Sequence, residues 1–149
     1  AAISPKGPGG GRLGTMDTDI ETWSHVFRVN FFAPIMMARG LIEELKHARG
    51  AVVNVTSIAG SRVHPFAGVA YATSKWGLEG FSHTLAAELN SSQIRVNSVE
   101  PGYVATKLTG YRGSKPESVT EVFVYLASDE SKTVTGKMLS SATWRSPTQ

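Results

Sequence analysis

Apolar positions along the chain fall into two patterns, one with helical spacing and one in short continuous runs. Residues 17–50 predict a long helix, with acidic residues at its start, basic residues near its end and the closing Gly50, and Pro34 interrupts it. A second helix is predicted from about Gly68 to Asn90. Its apolar stripe, with spacings of three and four, consists of Leu78, Phe81, Leu85 and Leu89.

Strands are predicted between and after these helices. The runs AVVNVT, residues 51–56, and IRVNSV, residues 94–99, are short and rich in β-branched residues, and GKMLSSA predicts a last strand. PESVTEVFVYLAS predicts a further helix with Pro116 in its first turn. Helices that alternate with short strands imply right-handed crossovers, so the predicted fold class is α/β with a parallel sheet.

The glycine-rich stretch GGGRLG, Gly9 to Gly14, has the G-x-G-x-x-G spacing of a dinucleotide-binding phosphate loop. Such a loop needs a buried strand before it and a helix after it. The preceding AAISPKGP contains two prolines and no run of four apolar residues, and the following TMDTD is polar. We therefore expect an exposed surface loop at this position.

Composition excludes several classes of function. The 149 residues are 41% hydrophobic and 18% charged, which fits one globular domain. The net charge of +3 comes from charges spread along the chain, without the basic run expected of a nucleic-acid surface. The sequence has no stretch of about 18 apolar residues, so it predicts no membrane span. The chain has no cysteine, which suits a cytoplasmic setting, and its four histidines lack metal-ligand spacing.

Candidate chemistry is concentrated in three residues. Tyr71 and Lys75, in YATSK, are four residues apart on the second helix, so their side chains share one face. An ammonium beside a phenol favours the phenolate, which predicts a tyrosine pKa lowered from about 10 toward the range useful for proton transfer. Ser57 follows the first strand, at the edge where parallel sheets bind ligands, and its hydroxyl can bind a carbonyl oxygen.

These residues belong to a longer ordered series of motifs. The series consists of Asn30 in VFRVNFF, Ser57 in VVNVTSIAG, Tyr71 and Lys75 in AYATSK, the segment IRVNSVEPG, the V-A-T of Val104 to Thr106, and the V-T-G of Val134 to Gly136. In this order and spacing the chain resembles the short-chain dehydrogenase/reductase family over most of its length. The resemblance implies a Rossmann-like sheet with flanking helices, NAD or NADP as cofactor, and hydride transfer between the nicotinamide and a small-molecule alcohol or carbonyl substrate.

The resemblance also implies a role for each matched residue. Tyr71 is the general acid/base, Lys75 lowers its pKa and holds the nicotinamide ribose, Ser57 orients the substrate oxygen, and Asn30 supports a proton relay through water. The nicotinamide side of the site is lined by Pro101, Gly102, Val104 and Thr106. Family members also pair their two long helices across a two-fold axis, which implies a homodimer or homotetramer.

The local sequence adds an argument about Asn30. In an intact helix its carbonyl accepts the amide of residue 34, but Pro34 has no N–H and crowds that carbonyl. A buried carbonyl in this state needs water or a side chain, as a water relay would provide. The alternative is that Pro34 merely bends a long helix.

The chain also departs from the family. The family's phosphate loop and first strands lie upstream of an N-N-A-G segment, and this chain opens at AAI, which corresponds to the inside of that segment. We therefore expect an incomplete sheet without the N-terminal strands. The stretch TKLTGYRGSKPESV is short where many members carry a substrate lid, as in carbonyl-reductase-like relatives, and SSATWRSPTQ lacks the family's closing D-G-G.

Residues 1–149 are interpreted as one partial domain with three parts. Residues 1–20 form a loop, residues 21–115 the catalytic helices and strands, and residues 116–149 the C-terminal helix and last strand. The leading hypothesis is the catalytic part of an NAD(P)-dependent oxidoreductase that is inactive as this chain alone. The second is a non-catalytic binding or dimerisation module, because most of a dinucleotide's anchoring comes from the phosphate loop.

Overall fold

The computed structural model describes residues 2–146. In chain order its main elements are the helices and strands α1 (Ile20–Phe27), α2 (Ala33–Gly40), α3 (Ile42–Ala48), β1 (Ala51–Val55), α4 (Val69–Leu89), β2 (Arg95–Glu100), α5 (Glu121–Ala127) and β3 (Met138–Ser140). None of the helices within these residues combines the length and apolar character required to cross a bilayer.

The three strands form one parallel sheet in the order β1-β2-β3. Ala51 lies opposite Arg95 in the first pair, and Ser98 lies opposite Met138 in the second. The predicted parallel α/β fold is therefore confirmed, and strand bounds differ from the prediction by one or two residues. Within residues 2–146, β1 pairs with a strand on one edge only, as expected for an incomplete sheet.

The long helix predicted before β1 is divided into three helices. A π-helical turn, Arg28–Phe32, separates α1 from α2, and the Ala33 N–H donates to the Arg28 carbonyl five residues back. This wider turn places Pro34 in the first turn of α2, where its missing N–H costs no hydrogen bond. Leu41, with φ −109° and ψ 14°, then separates α2 from α3. Pro34 thus changes the helix type rather than merely bending a continuous helix.

Helix α4 has the predicted extent, with Gly68 and Asn90 as its flanking residues. Of the predicted stripe, Phe81 is only half-buried, whereas the buried members are Leu78, Leu85 and Leu89. Polar bonds also join α4 to the sheet: Asn54 Nδ2 donates to Ser82 Oγ at 2.9 Å. These contacts fix the face of α4 that carries the candidate chemistry relative to β1.

The segment after β2 departs from the predicted single helix. Pro116–Val119 forms a 3₁₀ turn, and α5 begins only at Glu121. The Thr120 hydroxyl donates to the Glu117 carbonyl at 2.9 Å, which competes with continuous helical bonding at this point. Helix α5 covers the other face of the sheet, where the buried core consists of Val99, Val122 and Leu126.

The GGGRLG stretch is an exposed turn, as its context predicts. Lys6 and Arg12 form an antiparallel bridge around a 3₁₀ turn, Pro8–Gly10. Gly9 and Gly10 have φ values of +72° and +80°, which glycine adopts without steric cost. The next helix begins only at residue 20, so no helix N-terminus follows this turn to bind a phosphate.

Candidate active site

Ser57, Tyr71 and Lys75 lie together at the carboxyl end of β1. The strand ends at Val55, and the Lys75 ammonium donates a hydrogen bond to the Val55 carbonyl at 2.8 Å. The Ser57 hydroxyl lies near the Tyr71 phenol, close enough for a hydrogen-bonding interaction that lowers the pKa of Tyr71. Lys75 Nζ is 6.0 Å from the centre of the Tyr71 ring, and Lys75 is only 3% exposed. The structure therefore brings together three residues that sequence spacing predicted to act at one place.

A short turn after β1 orients Ser57. Ser57 has extended backbone angles, and its Oγ accepts a hydrogen bond from the Ala59 N–H at 3.2 Å. The 3₁₀ turn Ile58–Gly60 follows directly. Serine is favoured before such a turn because its hydroxyl satisfies a free backbone amide. The hydroxyl can accept from that amide and still donate its own proton to a second group.

The charges at this site differ from the sequence-based expectation. Burial raises the pKa of Tyr71 above its ordinary value of 10.0, and the hydrogen bond to Ser57 opposes the rise in part. The expectation that Lys75 lowers this pKa is therefore wrong for the structure as it stands. The physical reason is that Lys75 is itself desolvated, which lowers its pKa from 10.5 to about 8, and its ammonium bonds to the Val55 carbonyl.

The lowered Lys75 pKa predicts a pH-dependent stability. Because the unfolded chain binds this proton more tightly, the penalty is full below pH 8 and disappears as pH rises toward 10.5. Removing the desolvated charge should stabilise the fold by about 3 kcal/mol, and losing the hydrogen bond to the Val55 carbonyl should cost about 1 kcal/mol. We expect Lys75→Met to raise the free energy of unfolding by about 2 kcal/mol at pH 7. Above pH 10.5 the penalty is absent, so only the cost of the lost hydrogen bond to Val55 should remain and Lys75→Met should be slightly destabilising.

Urea unfolding of both chains at several pH values measures this difference. Lys132→Met is a suitable control, because Lys132 is exposed. An equal gain from both variants, or a Lys75→Met gain that does not change with pH, would contradict the assignment of a desolvated ammonium to Lys75.

Asn30 is buried in the π-helical turn, and its side chain holds the start of the described chain. Asn30 Oδ1 accepts from the Ile3 N–H at 2.9 Å, and Nδ2 donates to the Ile3 carbonyl at 2.9 Å. Nδ2 also donates to Ser74 Oγ at 3.1 Å, and Ser74 Oγ donates to the Tyr71 carbonyl at 2.7 Å. Both Nδ2 hydrogens and one of the two acceptor positions of Oδ1 are thus used, and a relay at this position would use the main-chain carbonyl, to which Pro34 cannot donate.

Sequence reasoning missed Ser74. It is fully buried and links Asn30 to the turn of α4 that carries Tyr71. A signal was present, since a serine in a helix whose hydroxyl can bond back to the preceding turn is well suited to a buried polar contact. Ser74 lies three residues after Tyr71 in the same YATSK motif.

The four residues expected on the nicotinamide side follow the carboxyl end of β2. Gly102 is exposed with φ +75°, and Thr106 caps the short turn Lys107–Thr109. Val104 is buried and bridges Ser114. Because β1 and β2 are parallel neighbours, Pro101 and Ser57 follow their strands at the same edge of the sheet.

A cavity of about 310 Å³ runs along the free edge of β1. The polar residues at its wall include Asn30 and Lys75, and the apolar ones include Pro34, Met37, Leu41 and Leu78. Val55, at the end of β1, is 46% exposed. The edge of the sheet that adjoins the candidate site is therefore open in residues 2–146.

Comparisons with known proteins place the chain in a family. The chain is 44% identical to Protein FixR of Bradyrhizobium diazoefficiens, over 91% of this chain and 54% of that protein. It is 33% identical to trans-4-hydroxycyclohexanecarboxylate dehydrogenase of Sinomonas cyclohexanicum, over 83% of this chain and 51% of that enzyme. The chain thus spans about half the length of these curated relatives.

Comparison with solved structures leads to the same kind of protein. A crystal structure of a Brucella ovis oxidoreductase of the short chain dehydrogenase/reductase family, in complex with a partially ordered NAD, superimposes with a TM-score of 0.83 and 48% identity. The superposition covers 94% of this chain and 61% of that one. The sequence profile of the family described as short chain dehydrogenase matches residues 7–117. The chain belongs to the short-chain dehydrogenase family.

Proposed function

We propose that the chain carries the proton-transfer site of an NAD(P)-dependent oxidoreductase that interconverts an alcohol and a ketone or aldehyde. The observation that carries this proposal is the grouping of the Ser57 hydroxyl, the Tyr71 phenol and the Lys75 ammonium at the carboxyl edge of a parallel sheet. An acid/base, a hydrogen-bond donor for an oxygen and a cation are the groups that carbonyl reduction requires. The partially ordered NAD in the related Brucella ovis structure supports the choice of cofactor.

In the direction of reduction, the Tyr71 hydroxyl donates its proton to the carbonyl oxygen of the substrate. Ser57 donates a hydrogen bond to the same oxygen, which stabilises the negative charge that develops there. NADH or NADPH, when bound, supplies the hydride that reaches the carbonyl carbon. The raised pKa of Tyr71 keeps this phenol protonated at neutral pH, as an acid in this direction must be.

In the direction of oxidation, Tyr71 must accept the alcohol proton as a phenolate. The hydrogen bond from Ser57 favours the phenolate, whereas desolvation opposes it. The Lys75 ammonium would provide the compensating charge whenever it is protonated, which it is below its pKa of about 8. Below pH 8, where Lys75 carries its charge, the raised pKa of Tyr71 keeps the phenol protonated, so these two pKa shifts favour the direction of reduction.

The described residues fit the nicotinamide end of the cofactor. An ammonium has three N–H donors, and the Val55 carbonyl occupies one of those of Lys75. The other two donors are suited to the hydroxyls of a ribose. Residues after β2 would border the ring, namely Pro101, Gly102, Val104 and Thr106. For the phosphates, GGGRLG offers no helix N-terminus in residues 2–146, so we assign them no site there.

We also propose that the exposed faces of α2 and α4 pair between subunits in a homodimer or homotetramer. Large apolar side chains remain uncovered on both helices: Trp76 on α4 is 50% exposed, and Met36 and Met37 on α2 are 62% and 66% exposed. Faces of this kind are typical of subunit interfaces. Sedimentation at micromolar concentration should give a dimer or tetramer, and a folded monomer would contradict the proposal.

The second hypothesis, a non-catalytic binding or dimerisation module, rests on the same exposed helical faces. It predicts that the chain assembles but turns over no substrate, even within a protein that has a complete dinucleotide site. Such a protein therefore distinguishes the enzyme from the module. A chimera in which this chain replaces the matching segment of the Brucella ovis oxidoreductase provides that context. Reduction of any member of a panel of aldehydes and ketones by this chimera supports the enzyme, and coenzyme binding without turnover supports the module.

A further inference from the structure

We infer that Gly60 is a positioning residue, which sets the contact between Ser57 and Tyr71 because only glycine allows the turn after β1 to rest on the backbone of Lys75. The inference rests on the function proposed above, since it concerns the same hydroxyl groups. Gly60 is buried at the end of the turn Ile58–Gly60. Its importance is not evident from the sequence, where the turn has no repeated or charged pattern.

The contact between Gly60 and α4 leaves no room for a side chain. A Cβ placed on Gly60 would lie 2.8 Å from the Lys75 carbonyl oxygen, 2.9 Å from its carbonyl carbon and 3.1 Å from its Cβ. These distances are shorter than van der Waals contact, and two of the three atoms belong to helical backbone that cannot rotate away. Glycine is therefore required by space at this position.

The turn transmits the position of Gly60 to Ser57. The Gly60 N–H donates to the Ser57 carbonyl at 2.8 Å, and the Ala59 N–H donates to Ser57 Oγ at 3.2 Å. Ser57 and the turn thus form one hydrogen-bonded unit. On the helix side, Lys75 is one turn after Tyr71 in α4. The approach of Gly60 to the Lys75 backbone consequently sets how far the Ser57 hydroxyl lies from the Tyr71 phenol.

Gly60→Ala should move this unit away from α4 and increase the distance between the Ser57 hydroxyl and the Tyr71 phenol. Because the nearby Ser57 hydroxyl lowers the Tyr71 pKa, the variant should titrate at higher pH than the unaltered chain. The increase should equal the one that Ser57→Ala produces. Adding Gly60→Ala to Ser57→Ala should give no further increase, since both changes remove the same interaction. Gly80 lies on α4, as Tyr71 does, and no atom lies within 4 Å of a methyl group added there. Gly80→Ala should therefore leave the Tyr71 titration unchanged.

The measurement is the ¹³C resonance of the Tyr71 phenol carbon in the 149-residue chain, assigned through Tyr71→Phe and followed with pH. It needs no substrate and no turnover, so its failure is separate from failure of the proposed function. A folded Gly60→Ala chain whose Tyr71 titrates like the unaltered chain overturns the inference, as does a full further shift in the double variant.

Two contacts in the unaltered chain decide the matter if Gly60→Ala does not fold. Nuclear Overhauser effects are expected between the Gly60 Hα protons and Lys75, and between the Ser57 Hβ protons and the Tyr71 ring. Both contacts together support the inference. The absence of either overturns it, because the turn would then not rest on α4 or would not carry Ser57 to Tyr71.

Discussion

Tyr71→Phe should lower kcat of the chimera by at least about 10²-fold, the low end for general acid catalysis. The phenylalanine keeps the ring and removes only the hydroxyl that gives its proton to the substrate oxygen. The structure supports a small effect on coenzyme binding, because the Lys75 ammonium bonds to the Val55 carbonyl and not to the phenol. Coenzyme affinity should therefore be nearly unchanged.

The measurement is kcat and coenzyme affinity for the chimera and its variant, with the best substrate found in the panel. Tyr111→Phe provides a matched control, since Tyr111 is 75% exposed in the segment after β2. An unchanged kcat in Tyr71→Phe, or an equal loss in both variants, would refute the role of Tyr71.

The 149-residue chain by itself should neither oxidise alcohols nor reduce carbonyls with either coenzyme. Among residues 2–146 the glycine-rich turn leads into no helix, so the dinucleotide would be held only near Lys75 and the residues after β2. Loss of orientation alone can cost orders of magnitude in rate. Titration with NADH and NADPH by calorimetry, followed by the carbonyl panel, tests this.

The free edge of β1 should also affect how the chain behaves in solution. Unpaired strand groups beside a cavity with apolar walls favour pairing with another chain. We therefore expect concentration-dependent association or partial folding to accompany the inactivity. Micromolar coenzyme binding together with turnover that Tyr71→Phe abolishes would show instead that the described residues suffice.

Periodicity and motif order predicted the parts of the fold that depend on local pattern. Helix α4 was predicted within one residue, because its apolar stripe and flanking Gly68 and Asn90 are all local signals. Strands β1 and β2 were predicted because their runs are short and rich in β-branched residues, which favour strands. The order of Ser57, Tyr71 and Lys75 predicted a shared site, which the parallel strands and α4 bring together.

Features that depend on three-dimensional contact were not predictable in this way. The sequence shows a lysine beside a tyrosine, but only the structure shows that burial affects both, and it changes the direction expected for the Tyr71 pKa. Pro34 predicted a break in helical bonding, but not that the break takes the form of a π-helical turn. The bonds from Asn30 to Ile3 and Ser74 join distant segments that no local pattern connects.

The proposed mechanism requires that Ser57 and Tyr71 act as one unit on one substrate oxygen. The most direct test is kcat of the chimera for Ser57→Ala, Tyr71→Phe and the double variant under saturating coenzyme. Residues that act as a unit have strongly non-additive effects on rate. We expect the double variant to be nearly as active as Tyr71→Phe alone. A double variant whose loss equals the product of the two single losses would show that Ser57 and Tyr71 act independently.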